Sequence, residues 1–510
     1  MTRFLRNTGL ALITTLIATG LSFAQVNNIN SVNTGMGGGG TAFTSGHHAI
    51  FLNPANMMVN NRDTRLSFGL MGFGTGIGGP LVNIGVYNDY FTTGRLLDTA
   101  TSLELSNVWF GEEIDARSSL GFYMDITPIA ASYRANKSAF GFAARTRVFN
   151  RFEINKGMLQ LGLTGFSSDT FSDFVPVGSS LEIMATTELA FSYARQVWQS
   201  NRFLIDGTHT VYAGVSPVLV LGQGYLGFEM DSDLRIREAE GDLTHRFDIS
   251  MRTVGELSNS MQAFVDARNA AENPSDVDIS DYLDDGFSDA GSVLGTAFKF
   301  NIGATYEWDR GEIARTPILG SGKNIIRMSV SLQDMGSITF DNTKRFSSNG
   351  TLDWNGIDLD QDRIDRDFDG ERGDYIDYVL TDSLASDIYF NFQSEDASSF
   401  SMQSTPTFTV GFAYIYGRAS AVLDFGKGYS DHGFHNDRAF MTLGGEYRII
   451  DIIPIRFGMR TGGYTETLYS FGTGLSLKNF EFSVGAMTRS ESGDRGTALA
   501  FAWSGIQLRF

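Results

Sequence analysis

Three clusters of residues have the types and spacing to do chemistry. The densest is Asp365-Arg-Asp367-Phe-Asp369-Gly370, which follows Asp358, Asp360 and Asp362. Carboxylates at alternate positions of a tight loop, with glycine at the turn, match the first half of a calcium loop. The twelfth position, where such a loop places a bidentate glutamate, is Ile376, with Asp374 and Asp377 beside it. One expectation is therefore a Ca2+ site of Asp365, Asp367, Asp369 and Asp374 that stiffens a loop and catalyses nothing. The other is a solvated acidic loop. His432 and His435 lie between Asp431 and Asp437 and offer zinc-type ligands, but without an HExxH context they read as a polar loop at a rim. His47 and His48 could line a lumen and read as exposed polar residues or hydrogen-bond partners rather than catalysts. Neither a GxSxG elbow nor a GxxxxGK phosphate loop occurs, and Gly37 to Gly40 lacks the flanking elements that let glycines cradle a phosphate. With no catalytic constellation, the expectation is a protein that is not an enzyme.

The elements that must carry these loops are strands. Phe298, Phe300, Ile302, Ala304, Tyr306 and Trp308 alternate with Lys299, Asn301, Thr305 and Glu307. The same period of two recurs at Phe408 to Tyr416 and at Tyr469 to Leu477. Many runs reach about nine to twelve residues, the length that crosses an outer membrane at a tilt. Backbone polar groups in lipid must all be paired, so such strands have to close into a barrel, apolar outside and polar inside. The expected fold is all-β: a transmembrane antiparallel barrel of about fourteen strands with long extracellular loops. Arg145 and Arg147, Arg456 and Arg460, and Glu446 with Arg448 fall on inward faces and are expected to pair as luminal ion ladders. Two stretches interrupt the strands, about 254–292 and 341–400. The first opens as a helix with Leu257, Met261, Phe264 and Val265 on one face. The last strand raises a question of register. Leu499, Phe501 and Trp503 have the opposite parity to Ile506, Leu508 and Phe510. Either a bulge at Ser504-Gly505 resets the strand or its luminal face is apolar.

Composition agrees. The chain of 510 residues has 58 glycines, 41 phenylalanines and only 9 prolines, which suits crowded sheet backbones and aromatic girdles. A net charge of −19 excludes nucleic acid as a partner, because phosphate needs a basic surface. Without cysteine, disulfides and thiol chemistry are excluded. Arg3 and Arg6, the apolar run Leu10 to Leu21 and Ser22-Phe-Ala24 form a secretory signal at residues 1–24. Export, strands and a terminal Phe place the protein in the cell outer membrane. Ile506, Leu508 and Phe510 resemble the signal read by the barrel-assembly machinery.

Between signal and strands lies a segment of a different kind, residues 25–63, with the barrel following from 64 to 510. Gly35-Met-Gly37-Gly38-Gly-Gly40-Thr-Ala, followed by Ala49-Ile-Phe-Leu-Asn53-Pro54-Ala55, resembles the start of FadL-type barrels. PorV, a barrel of the type IX secretion system, looks similar there, as do uncharacterised outer-membrane barrels of Bacteroidetes. The resemblance implies that this segment plugs the lumen, with Gly35, Gly37, Gly38, Gly40, Asn53, Pro54 and Ala55 as plug or hatch positions. It further implies uptake of hydrophobic compounds, released laterally at a kinked strand into the surrounding lipid. Glycines permit close backbone packing, and Pro54 biases Asn53 toward an extended conformation. A gate and a static filler need the same small residues. Removal of Gln25 to Ala55 is expected to alter passage and spare assembly. The alternative function is a non-transporting, PorV-type barrel that holds a surface or secretion protein through its acidic loops.

Overall fold

The computed structural model describes residues 29–59, 64–81, 84–94, 99–164, 169–203, 205–237, 242–271, 277, 279–283, 291–355, 364, 366–368, 391–404, 406–429, 438–462, 467–489 and 497–510. Strand alternation builds a closed antiparallel barrel of 14 strands. They are β1 (Leu66–Gly79), β2 (Arg117–Ala135), β3 (Ser138–Asn155), β4 (Ser179–Phe203) and β5 (Ile205–Arg237). Next come β6 (Asp242–Val254 and Gly295–Thr316), β7 (Gly320–Asn355) and β8 (Gln393–Ser404 and Thr407–Tyr416). The remainder are β9 (Ala419–Gly428), β10 (Ala439–Ile449), β11 (Ile453–Gly462), β12 (Leu468–Ser476), β13 (Phe480–Arg489) and β14 (Thr497–Trp503 and Ile506–Arg509). Three strands are written in two pieces because both pieces continue one line along a shared neighbour. In β6, Asp242–Val254 pairs with the upper part of β5 and Gly295–Thr316 with its lower part. β14 pairs with β1 on both sides of its break and closes the cylinder.

The outer face is the apolar one. Phe298, Phe300 and Ile302 are 66%, 45% and 42% exposed, while Lys299, Asn301 and Thr305 behind them are buried. Tight connections join β2 to β3, β8 to β9, β10 to β11 and β12 to β13 at one end, where the C-terminus also lies. β4, β5 and β7 are far longer than a membrane requires, at 25, 33 and 36 residues. They carry the wall beyond the lipid belt, where helices α1 (Thr99–Phe110), α2 (Lys156–Thr164) and α3 (Glu256–Ala270) adjoin it. On α3, Leu257, Met261, Phe264 and Val265 are buried against Phe247, Ile249 and Phe346 of the wall. The expected insertion at 341–400 is narrower, since 341–355 extends β7 and 393–400 belongs to β8. Side chains there pair across the ladder and pack against α3, so the strand persists beyond the membrane.

The register question in β14 has a clear outcome. Phe501 and Trp503 are 37% and 42% exposed on the outside, like Ile506 at 51%, and Ala500 and Ala502 face inward. A two-residue interruption resets the strand: Trp503 pairs with Phe73 and Ile506 with Leu70, leaving Ser504-Gly505 opposite Met71-Gly72. Gly505 has φ +64 and Met71 φ +56, and a Cβ on Gly505 would fall 1.9 Å from the Leu70 carbonyl oxygen. The apolar luminal face expected as the alternative is therefore absent from this strand.

One tight turn carries strain that can be relieved. Ile450 and Asp451 have φ +48 and +64. A β-branched residue in the left-handed region is costly, by about 1–2 kcal/mol. The turn is held by Arg418, whose Nε and Nη2 donate to the two Asp451 oxygens at 2.8 and 2.7 Å. This hydrogen bonding keeps the Asp451 carboxyl below its ordinary value, so its small contribution is present above the unfolded-state pKa and is lost as pH falls through the folded one. Ile450→Asn is expected to stabilise the barrel by about 1 kcal/mol, read from the urea midpoint in liposomes at unchanged slope.

Candidate functional site: the lumen

Residues 29–59 touch strands all round the barrel, which a single segment can do only from inside. The Ser31 and Ser483 hydroxyls are 2.6 Å apart on the β13 side. Gly37 N–H donates to Ser470 on β12 at 2.8 Å, and Ser331 on β7 donates to the Leu52 carbonyl. His47 lies 2.6 Å from Ser67 on β1, and His48 lies 2.7 Å from Gln507 on β14. The contact is backbone on backbone. A Cβ on Gly35 would meet the Gly472 Cα at 3.0 Å, and one on Gly37, at φ +79, would meet the Met459 carbonyl oxygen at 2.7 Å. The wall answers with its own glycines: a Cβ on Gly458 would lie 2.3 Å from the Met36 carbonyl carbon, and one on Gly214 2.4 Å from Ala55 N.

The motif residues have distinct local tasks. Gly38 and Gly40 adopt φ +80 and +114. Asn53 is extended (φ −152, ψ 96) and caps the short 3-10 turn Pro54–Met57, its Oδ1 accepting from Ala55 N–H at 3.2 Å. Pro54 stands at the first turn position, where a missing N–H costs nothing, and Ala55 is fully buried. Asn53 and Asn56 donate to the Thr41 carbonyl at 3.1 and 2.7 Å, and Asn53 also donates to Thr305 of β6. Ile506 and Phe510 are exposed outward, and Phe510 N–H donates to Leu66 to close β14 on β1.

Two polar clusters and an apolar one line the wall. Arg145 donates to Glu188 at 3.0 Å and Arg147 to Asp125 at 3.0 Å, with Lys299 3.6 Å from Glu188. All five are buried, and the Arg145 guanidinium lies 3.8 Å from the centre of the Phe51 ring. In the second cluster, Glu446 accepts from Arg448 and Arg456, each at 2.8 Å, and Glu481 pairs with Arg509. The expected luminal ion pairs thus form, but Arg460 does not join them and lies over the Phe440 ring at 3.9 Å. Glu188→Ala would leave Arg145 and Lys299 without their principal carboxylate. Removing one partner of a buried ion pair costs about 3–5 kcal/mol, and a loss of that size is expected in urea unfolding.

The apolar cluster is a collar. Val220, Ala297, Ile338 and Met402 form one inward row across β5, β6, β7 and β8. Gly222, Gly295, Phe340 and Phe400 form the next. A Cβ on Gly222 or Gly295 would strike the Phe340 ring at 2.5 or 2.7 Å, so the ring lies flat on the glycines. Tyr225 packs on Phe400 and Phe340 at 5.2 and 5.8 Å between centroids. Ile50, Ala55 and Met57 of the inner segment belong to the same apolar cluster. Farther out, a polar cavity of about 600 Å³ is lined by Asp115, Arg117, Asp231, Asp233, Arg246 and Asp248. A small cavity of about 40 Å³ sits at the β14–β1 interruption, between His47, His48 and Asp125 inside and Phe73 and Trp503 outside.

The calcium-loop expectation falls almost wholly outside the described residues: Asp365, Asp369 and Asp374 are not among them, and Asp367 is paired with Arg366 at 3.0 Å. His432 and His435 also lie outside them. Among the described residues no group of three His, Asp or Glu side chains is placed to hold a metal. Sequence reasoning placed Thr305 on an inward polar face without its partner, and missed Asp424, Asp125, Glu188 and the collar. Asp424 alone had a legible signal, a carboxylate on the inward parity of β9 between Leu423 and Phe425.

An apolar outer belt and a closed sheet define a membrane-spanning β-barrel. Within that class the chain belongs to a family of unknown function, DUF5723, whose model matches residues 65–488. Solved structures resemble it in fold alone. The Pseudomonas putida toluene transporter TodX is 9% identical with a TM-score of 0.44, over 95% of this chain and 99% of that one. A Pseudomonas aeruginosa FadL homologue is 11% identical with a TM-score of 0.43, over 96% and 99%. The translocator domain of the autotransporter NalP from Neisseria meningitidis is 8% identical with a TM-score of 0.29, over 89% and 91%. No curated protein matches the sequence.

Proposed function

We propose that this chain is an outer-membrane barrel that binds and passes small hydrophobic compounds, with residues 29–59 as its luminal plug. The observation that carries the reading is the collar. A barrel lumen is ordinarily polar, yet two adjacent inward rows from β5 to β8 are apolar and end in the Tyr225–Phe340–Phe400 cluster. A compound entering from the polar outer cavity would lose water at this collar and meet the plug beneath it. Its way out is lateral, at the β14–β1 interruption, where one small cavity touches both luminal and lipid-facing side chains. Pro128, next to the register shift between Ile126 and Ile129 in β2, weakens the ladder beside it. Ile506, Leu508 and Phe510 are the residues the assembly machinery would read.

Toluene uptake into proteoliposomes tests the proposal. Wild type is expected to exceed protein-free liposomes, and Phe340→Asp, which puts a charge in the collar, is expected to lose at least about 90% of that excess. Equal uptake by both proteins would sink the reading. A stoichiometric protein recovered with the barrel from native membranes would favour the PorV-type alternative.

A further inference from the structure

The plug is not held evenly. One carboxylate oxygen of Asp424, on β9, accepts from Gly40 N–H at 2.7 Å, Thr41 N–H at 2.8 Å and the Thr41 hydroxyl at 2.8 Å. The Thr41 carbonyl in turn accepts from Asn53 and Asn56. Asn53 donates to the Thr305 hydroxyl at 3.0 Å, and that hydroxyl lies 2.9 Å from Ser329. A continuous polar strap therefore crosses the lumen from β9, through the plug, to β6 and β7. All of its side chains are buried.

We infer that Asp424 is the latch that keeps the plug seated, a positioning residue whose release opens the lumen to water. The inference rests on the plug reading above. Three donors converge on one carboxyl oxygen of Asp424, and leaving buried donors without their acceptor costs their full desolvation. Two come from the backbone at Gly40 and Thr41, so no other plug side chain can replace them. Elsewhere the plug meets the wall mainly through neutral groups and van der Waals contact. The other Asp424 oxygen and the adjacent Thr442 hydroxyl, both buried, have no hydrogen-bond partner among the described residues. Asparagine can keep its oxygen toward Gly40 and Thr41 and put its amide where the second oxygen stands, on the Gly411 side, where a Cβ at Gly411 would lie 2.7 Å from that oxygen. Alanine cannot supply an acceptor at all.

The test uses the full-length protein in planar bilayers. Wild type and Asp424→Asn are expected to be electrically silent and to resist chymotrypsin at Phe43 and Phe51. Asp424→Ala is expected to show stepwise conductance, with an open probability raised about a hundredfold, and cleavage at those sites. Thr41→Val, which loses one donor, should open less often than Asp424→Ala, and it carries the test should the alanine variant fail to fold. The chain has no cysteine, so Gly39→Cys with Thr442→Cys can lock the open variant shut. A Cβ at position 39 would lie 3.2 Å from that of Thr442, close to the roughly 3.5–4.5 Å of a disulfide. Oxidation should silence the channel and reduction should restore it. The inference is overturned if neither Asp424→Ala nor Thr41→Val opens or is cleaved, if Asp424→Asn opens as readily as Asp424→Ala, or if oxidation leaves the conductance unchanged. None of these readouts involves toluene, so failed uptake with a working latch would remove the transport reading and leave this one.

Discussion

A chain lacking residues 25–59 is expected to give no heat-modifiable folded band on electrophoresis after refolding into liposomes. The sequence alone leads to the expectation that removal of Gln25 to Ala55 spares assembly. The packing argues the reverse. Met36, Phe43, Ile50, Phe51, Leu52, Met57, Met58 and Val59 are each 9% exposed or less. Burial of a large apolar side chain is worth about 1.5–3 kcal/mol. Eight such side chains give a gross term on the order of 10–20 kcal/mol, which matches or exceeds the whole stability of a typical fold, about 5–15 kcal/mol. Deletion also strips partners from wall groups made for this segment. Gly214, Gly303, Gly411, Gly444, Gly458, Gly472 and Gly485 would face an empty groove, and Asp424, Ser331 and Ser470 would lose buried hydrogen bonds. A milder form of the experiment is Gly458→Val, whose Cβ would overlap the Met36 carbonyl carbon. It is expected to lower the urea midpoint by an amount equivalent to about 1–3 kcal/mol, the usual cost of overpacking. A deletion variant that folds with a wild-type midpoint would show the segment to be an accessory after all.

How much of this was legible in the sequence depends on what sets each feature. Strand identity and facing are local properties. Phe298, Phe300 and Ile302 declare the lipid face by alternation alone, and Leu257, Met261, Phe264 and Val265 declare the buried stripe of α3. The glycine run and Asn53-Pro54-Ala55 were legible as a unit apart, because no strand period fits them. What stayed hidden depends on partners distant in sequence. Asp424 and Thr41 are 383 residues apart, and nothing near Asp424 says what approaches it. The collar needs Val220, Ala297, Ile338 and Met402 to line up, and the register shifts in β4–β5 and β6–β7 that aim them inward cannot be read from one strand at a time. Even Leu499, Phe501 and Trp503 left two solutions open, because parity reports a change of face without telling a bulge from an apolar lumen.

The interruption at Ser504-Gly505 sets the second large expected effect. Stapling β14 to β1 with Leu70→Cys and Ile506→Cys should reduce toluene uptake at least about tenfold, with recovery on reduction. The two residues are direct cross-strand partners immediately beside the interruption. Opposed Cβ atoms in antiparallel strands lie about 4.5–5.5 Å apart, and a disulfide needs about 3.5–4.5 Å, so modest adjustment suffices. The staple acts on separation of the two strands while leaving the collar, residues 29–59 and the outer cavity as they are. The same pair of changes at Val410 and Phe425, which face each other on β8 and β9, staples an unbroken part of the wall and should leave uptake within about twofold of wild type. The geometry favours the β14–β1 line for a physical reason. Around Ser504-Gly505 and Met71-Gly72 the ladder is interrupted on both strands, so parting them there breaks fewer hydrogen bonds than elsewhere. If both staples leave uptake intact, the exit lies elsewhere, and the break in β6 between Val254 and Gly295, at the height of the collar, becomes the place to staple next.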